Sequence, residues 1–208
     1  MDWFKSFISL LALVNPLGAV PMFISLTTQH TGAERERTTR TAAVAVACVI
    51  AVSALLGHQI LGFFGISIAS LQVGGGILVL LMGISMLNAQ AVGSKSTPEE
   101  ALEASTKHSI AVVPLAVPLL TGPGSISTVI VHADRARGWL EVGGLVASGA
   151  LIGALVYASF RLAEPIQALL GNTGINIATR LLGLILAALA VEMIADGLLH
   201  FMPALGRP

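Results

Sequence analysis

The groups in this chain with the most evident chemistry are backbone groups that prolines leave without partners. Asn15-Pro16-Leu17-Gly18, with Pro21 just beyond, interrupts one apolar stretch. Thr121-Gly122-Pro123-Gly124, following Pro114 and Pro118, interrupts another. Proline has no N–H to donate, so Pro16 leaves the carbonyl of Ala12 without its helical donor, and Pro21 does the same to Leu17. By the same count Pro123 frees Leu119 and Pro118 frees Pro114. Beyond each break a new half-helix would begin, with free N–H groups and a partial positive charge suited to a carboxylate. The freed carbonyls before it suit an ammonium or another cation, and Asn15 and Thr121 add side-chain polarity at equivalent places. Together the two half-sites could hold a zwitterion such as an amino acid. The plainer alternative is a pair of proline kinks sealed by helix packing.

Two acidic residues are the next candidates. Glu192 falls well inside the last apolar stretch, with Asp196 one turn further on the same helical face. An ionisable group at membrane depth costs about 3 kcal/mol or more and is a functional candidate by default. Glu192 is therefore a possible proton carrier, or else a neutral carboxyl hydrogen-bonded across the bundle. Gln72 and Arg180 lie near the starts of their stretches, Arg180 as a helix-end anchor, and His58 and His132 fall near stretch ends without an assigned role. The single cysteine, Cys48, excludes an intrachain disulfide and reads as a small packing residue. No Cys/His metal spacing, nucleophile–base signature or paired intramembrane aspartate motif is present, so no catalytic residue, metal or cofactor is expected. Gly122-Pro123-Gly124 matches no phosphate-binding loop, which argues against direct ATP drive. A net charge of zero gives no reason to expect nucleic acid.

The elements that must position these groups belong in lipid. Only 11% of the 208 residues are charged and 55% are hydrophobic, too few charges to coat a globule in water. Six stretches are long enough to span a bilayer: 4–27, 41–64, 68–87, 110–132, 140–160 and 177–199. Glycines in the third, and Gly149 and Gly153 in the fifth, read as close helix contacts. Thr31 with Glu34 predicts a capping box ahead of the second span, and Thr97-Pro98-Glu99-Glu100 predicts a short surface helix near 98–107.

Gly65-Ile66-Ser67-Ile68-Ala69-Ser70 matches Gly174-Ile175-Asn176-Ile177-Ala178-Thr179, an interval of 109 residues, and Gly18 aligns with Gly124 at 106. The expected fold is thus all-α: one polytopic transmembrane domain of six helices, built as two inverted three-helix repeats with broken first and fourth helices. The first repeat covers about 1–90, a loop about 91–108 and the second repeat about 109–208. Inverted repeats with paired broken helices are a recurring plan of secondary transporters. Lys5, Arg135, Arg137 and Arg207 fall on the side of both termini, and the seven other Lys and Arg residues on the opposite side, which predicts both termini outside.

Asn15-Pro16-Leu17-Gly18-Ala19-Val20-Pro21, the run from Pro114 to Gly124, and Arg180-Leu181-Leu182-Gly183-Leu184-Ile185-Leu186-Ala187-Ala188 resemble the MarC family. The resemblance covers nearly the whole chain. It implies an inner-membrane protein of six spans, similar to the wider LysE-like exporters and to small neutral amino acid transporters of the SnatA type. The implied substrates are small neutral amino acids such as glycine and alanine, with coupling to H+ or Na+. The implied site is Asn15, Pro16, Gly18, Thr121, Gly122, Pro123 and Gly124. The resemblance supports no proton role for Glu192. Export of other small metabolites, or a channel or accessory role, are the alternatives.

Overall fold

A computed structural model of the chain describes residues 3–88 and 120–202. The expected helix at 98–107, the carbonyls freed at Pro114 and Leu119, and Pro118 lie outside the described residues. Seven helices occur among the described residues: α1 Trp3–Val14, α2 Val20–Leu26, α3 Gly32–Phe64, α4 Ile68–Leu87, α5 Pro123–Asp134, α6 Trp139–Arg161 and α7 Ala163–Phe201. Four of them, α3, α4, α6 and α7, are long and apolar enough to cross a membrane. They carry large apolar side chains on their outward faces, among them Val44, Phe63, Leu81, Leu181 and Val191. No water-soluble fold leaves that much hydrocarbon uncovered, so these faces are the lipid-facing surface.

Local chemistry sets the helix ends. The predicted capping box opens α3: Glu34 N–H donates to Thr31 Oγ1, and the Glu34 carboxylate accepts from Thr31 N–H at 2.8 Å. α3 closes on Gly65, whose φ of 68° is cheap only for glycine, while Ile66 N–H returns to Leu61 O at 3.0 Å. Ser67 then caps α4 through Ser70 N–H. α7 includes a stretch before the expected span, because its helical turns continue from Ala163 through a single non-helical residue, Gly171, at φ 60° and ψ 175°. Gly171 follows Gly65 by 106 residues, the interval that separates Gly18 from Gly124. The two share a positive φ but not a backbone shape, since Gly65 has ψ 22° and Gly171 has ψ 175°.

The long helices pack as two antiparallel pairs through the predicted glycines. In the α4–α7 pair, Gly83 lies against Gly183 and Ala187, Gly76 against Ala190 and Ile194, and Gly197 against Ala69 and Gln72. In the α3–α6 pair, Gly149 meets Ile50 and Gly153 meets the carbonyl of Ala43. Close backbone approach is what small residues provide where water does not drive association. Cys48, expected inside, is instead exposed on the outer face of α3. That helix is apolar all round, so its sequence does not say which side faces inward.

Polar side chains gather at two ends. At one, the starts of α1 and α6 meet through Trp3 Nε1 and Gly144 O (3.0 Å), His58 pairs with Asp134 (3.1 Å), and Arg135 with Asp196 (2.7 Å). We call this the terminus end. At the opposite end Arg35 pairs with Glu164, and Glu36 collects Arg40, Arg161 and the Tyr157 hydroxyl, each at 2.8 Å. Those hydrogen bonds, Tyr157 first and Arg40 next, hold the Glu36 carboxyl below the usual range in the polar turns ahead of the apolar run.

Candidate functional site

The first predicted break lies wholly among the described residues, which include the second only from Leu120 onward. The α1 ladder reaches Asn15, whose N–H donates to Leu11 O at 2.9 Å. Asn15 then takes φ 44°, a left-handed conformation that asparagine tolerates better than most residues. Its side chain folds back over the turn, and Oδ1 accepts from Gly18 N–H at 3.1 Å. Gly18 is required by that fold: a Cβ there would lie 2.1 Å from Asn15 Nδ2. Asn15 and Pro16 are buried, Gly18 partly so, and Nδ2 donates to no described residue. One expectation needs correction. The Leu17 carbonyl freed by Pro21 is not open, because Val20 N–H donates to it at 3.2 Å in a tighter turn.

At the second break Gly122 is extended, Pro123 occupies the first helical position, and no side chain caps the first turn of α5. Thr121, Gly122 and Gly124 are buried and Pro123 is exposed. Gly124 rests on α4, with the position of a Cβ 3.1 Å from Val79 Cγ2. Ser127 and Thr128 donate back to the carbonyls of Pro123 (2.8 Å) and Gly124 (2.9 Å). Ser125 differs. Its hydroxyl is 1% exposed and has no hydrogen-bond partner among the described residues, an arrangement that costs about 1–3 kcal/mol. The two breaks border one buried cluster, through Val14 and Ala19 on one side and Leu120 on the other.

A cavity of about 390 Å³ occupies the terminus end. Helix directions order its lining: Lys5, Arg135, Arg137 and Asp196 at the mouth; Ser9, Gln72, His132, Glu192 and Met193 about one turn or more deeper; Leu13, Val79, Thr128 and Leu189 at the floor. None of the seven predicted break residues lines this cavity, and Glu192 does. Glu192 is thus neither beside the breaks nor buried in packing; its side chain is exposed toward the cavity. The floor reaches the second break through Val79 and Thr128, both of which touch Gly124. His132, given no role from sequence, contacts Ser6 Oγ through Nδ1 at 3.3 Å.

Toward the opposite end the described residues place a buried aromatic layer, and beyond it a second cavity of about 330 Å³ bordered by Arg35, Glu36, Phe160 and Glu164. Phe23 and Phe160, both fully buried, stack with centroids 4.3 Å apart, an arrangement worth about 0.5–1.5 kcal/mol beyond area burial. The Arg35 guanidinium lies 5.3 Å above Phe23, and the Glu36 and Glu164 ion pairs cover that layer. Among the described residues, no group of three His, Cys, Asp or Glu side chains could hold a metal ion.

Apolar outward faces, glycine-packed long helices and a polar cavity beside interrupted helices together define a multi-pass integral membrane protein. The chain matches the model of the MarC family integral membrane proteins over residues 1–202, and it belongs to that family. It is 42% identical to the UPF0056 membrane protein YhcE of Escherichia coli over 203 residues, 98% of this chain and 94% of that one. It is 38% identical to the UPF0056 membrane protein YvbG of Bacillus subtilis, over 96% of this chain and 95% of the relative. A UPF0056 membrane protein of Archaeoglobus fulgidus is 37% identical over 94% of this chain and 92% of its own length. These names state membrane residence and nothing of substrate. No solved structure matches the chain.

The signals for the break glycines and prolines lay in the sequence. Ser125 was missed, although a serine three residues after an uncapped helix start is a readable donor position. Nothing in the sequence marked the cavity, which depends on how four helices meet.

Proposed function

We propose that the chain is a secondary transporter of small neutral amino acids, of the glycine and alanine class, working by alternating access in the inner membrane. The observation that carries this reading is an asymmetry. Among the described residues, a polar cavity runs from the terminus end to the neighbours of Gly124, while at the opposite end a buried aromatic stack lies beside a separate cavity of about 330 Å³ rimmed by ion pairs. A carrier caught open to one side has that shape, and a continuous pore does not.

Asn15, Pro16, Gly18, Thr121, Gly122, Pro123 and Gly124 form the two halves of the substrate site, with Ser125 added. The uncapped start of α5 and the Ser125 hydroxyl suit a carboxylate. The six-span inverted repeat is supported by the antiparallel packing of α3 with α6 and α4 with α7, since mates of an inverted repeat run in opposite directions. The terminus end, poorer in Lys and Arg across the sequence, faces outside. Transport couples to H+ or Na+, because no nucleotide motif offers another source of energy.

Proteoliposomes test this directly. Labelled glycine and alanine should enter saturably, and an imposed pH or sodium gradient should raise the initial rate for whichever ion couples. No uptake of either amino acid by folded, inserted protein would remove the substrate claim.

A further inference from the structure

The cavity at the terminus end contains groups that the break site does not use. Glu192 is a carboxylate within a membrane-crossing helix, and it has no hydrogen-bond or ion-pair partner among the described residues. Asp196, one turn nearer the mouth, differs in being paired with Arg135. Gln72 is 6% exposed, borders the same cavity, and its amide likewise has no partner among the described residues. Unpaired polar groups at that depth are costly unless a ligand visits them.

The neutral groups around them are biased toward accepting hydrogen bonds. Ser9 gives its hydrogen to Lys5 O at 2.9 Å and Thr128 gives its own to Gly124 O at 2.9 Å. What those hydroxyls offer to the cavity is lone pairs. The middle layer therefore favours a cationic group, with Glu192 as its only acidic residue among the described residues. The mouth has the opposite bias, with Lys5, Arg135 and Arg137 in its lining against Asp196, and Glu141 beside Arg137. The floor, with Leu13, Val79 and Leu189, takes a small apolar side chain. A molecule matching all three layers carries an ammonium, a carboxylate and a small neutral side chain.

We infer that this cavity is a second, outer binding site for a zwitterionic α-amino acid, with Glu192 and Gln72 holding the ammonium and Arg135 and Arg137 holding the carboxylate. The inference rests on the transporter reading above and adds a capture site ahead of the breaks. Guanidinium groups at the rim suit a carboxylate because they pair with it in two parallel hydrogen bonds. The role of Glu192 is then recognition of substrate and not carriage of a proton.

The test is equilibrium binding of labelled glycine to the purified full-length chain, with wild type, Glu192→Gln, Gly18→Ala and the double variant compared. At a glycine concentration just sufficient to fill the wild-type sites, two glycines per chain are expected for wild type and close to one for each single variant. The double variant should bind none. Glu192→Gln keeps size and shape, so it can be read even if Gly18→Ala fails to fold. Losing the charged partner of an ammonium should weaken the outer site by about tenfold or more. N-acetylglycine, which lacks the ammonium, should compete at neither site, and methylamine should displace only the outer glycine. Two bound glycines in Glu192→Gln would overturn the inference. So would a single wild-type glycine lost in Gly18→Ala, which leaves the break site standing. A single glycine lost in Glu192→Gln and kept in Gly18→Ala would keep the outer site and overturn the break site. No binding to wild type would overturn both. Unchanged stoichiometry in Glu192→Gln with altered dependence on an imposed pH gradient would return that residue to proton coupling.

Discussion

Gly18→Ala is expected to lower glycine uptake at least about tenfold while the helices stay assembled. The added methyl would lie 2.1 Å from Asn15 Nδ2 and 2.8 Å from its Cγ, so the asparagine side chain must leave its place over the turn. With it goes the hydrogen bond from Gly18 N–H to Asn15 Oδ1, a net contribution of about 1 kcal/mol. That loss is small beside the stability of a bundle, and the clash falls on a side chain and not on backbone. Function is affected more, because the amide that would meet substrate is displaced and a backbone donor is freed in the wrong place. Asn15→Gly is the companion variant. Glycine accepts φ 44° without penalty, so the turn persists while the amide is gone. Uptake lost in both variants, with wild-type thermal midpoints within a few degrees, would assign the function to the amide. Wild-type uptake by well-folded Gly18→Ala would remove Asn15 from the site.

The largest expected loss of stability lies elsewhere, where α4 crosses α7. A Cβ on Gly83 would sit 2.9 Å from the carbonyl oxygen of Gly183 and 3.0 Å from Ala187 N. The contact is reciprocal, since a Cβ on Gly183 would lie 2.9 Å from Gly83 O. Both obstacles are backbone atoms, which cannot rotate aside, so the helices must separate along their length. Overpacking of this kind costs about 1–3 kcal/mol, and for a chain of this size each kcal/mol lowers the midpoint by roughly 2–4 °C. Gly83→Ala should therefore fall at the upper end of that range, with a midpoint roughly 6–12 °C lower. Gly74, on the same helix and exposed, has nothing within 4 Å of a Cβ. Gly74→Ala should be neutral or stabilising by up to about 1 kcal/mol, since alanine is the better helix former. Equal midpoints for the two variants would mean that α4 and α7 do not meet at these glycines.

Much of the fold was legible because membrane helices announce themselves by length and their ends by specific residues. α4 runs over Ile68–Leu87, the span read from sequence, since Ser67 caps it and the apolar run ends at its other boundary. The α3 capping box was equally readable, because Thr31 and Glu34 have few other roles three residues apart. Orientation about the helix axis was not. α3 and α7 are apolar on every side, so no periodicity says that Cys48 points outward or that Glu192 borders a cavity. The start of α7 was hidden for another reason. Gly171-Asn172-Thr173-Gly174 has the composition of a loop, yet only Gly171 leaves helical geometry and the turns continue on either side. The break residues were identified from proline chemistry, but their accounting needed coordinates. Val20 takes the Leu17 carbonyl, and the Ser125 hydroxyl is left without a partner among the described residues.

Counterflow tests the central claim most directly. Vesicles containing the protein are loaded with unlabelled alanine and placed in a trace of labelled glycine, with no ion gradient. A carrier whose break site faces one side at a time must exchange, so labelled glycine should rise transiently above its equilibrium level, and should do so only in loaded vesicles. Entry of labelled glycine at the same rate and to the same level with and without internal alanine would contradict alternating access and leave a passive pathway in its place.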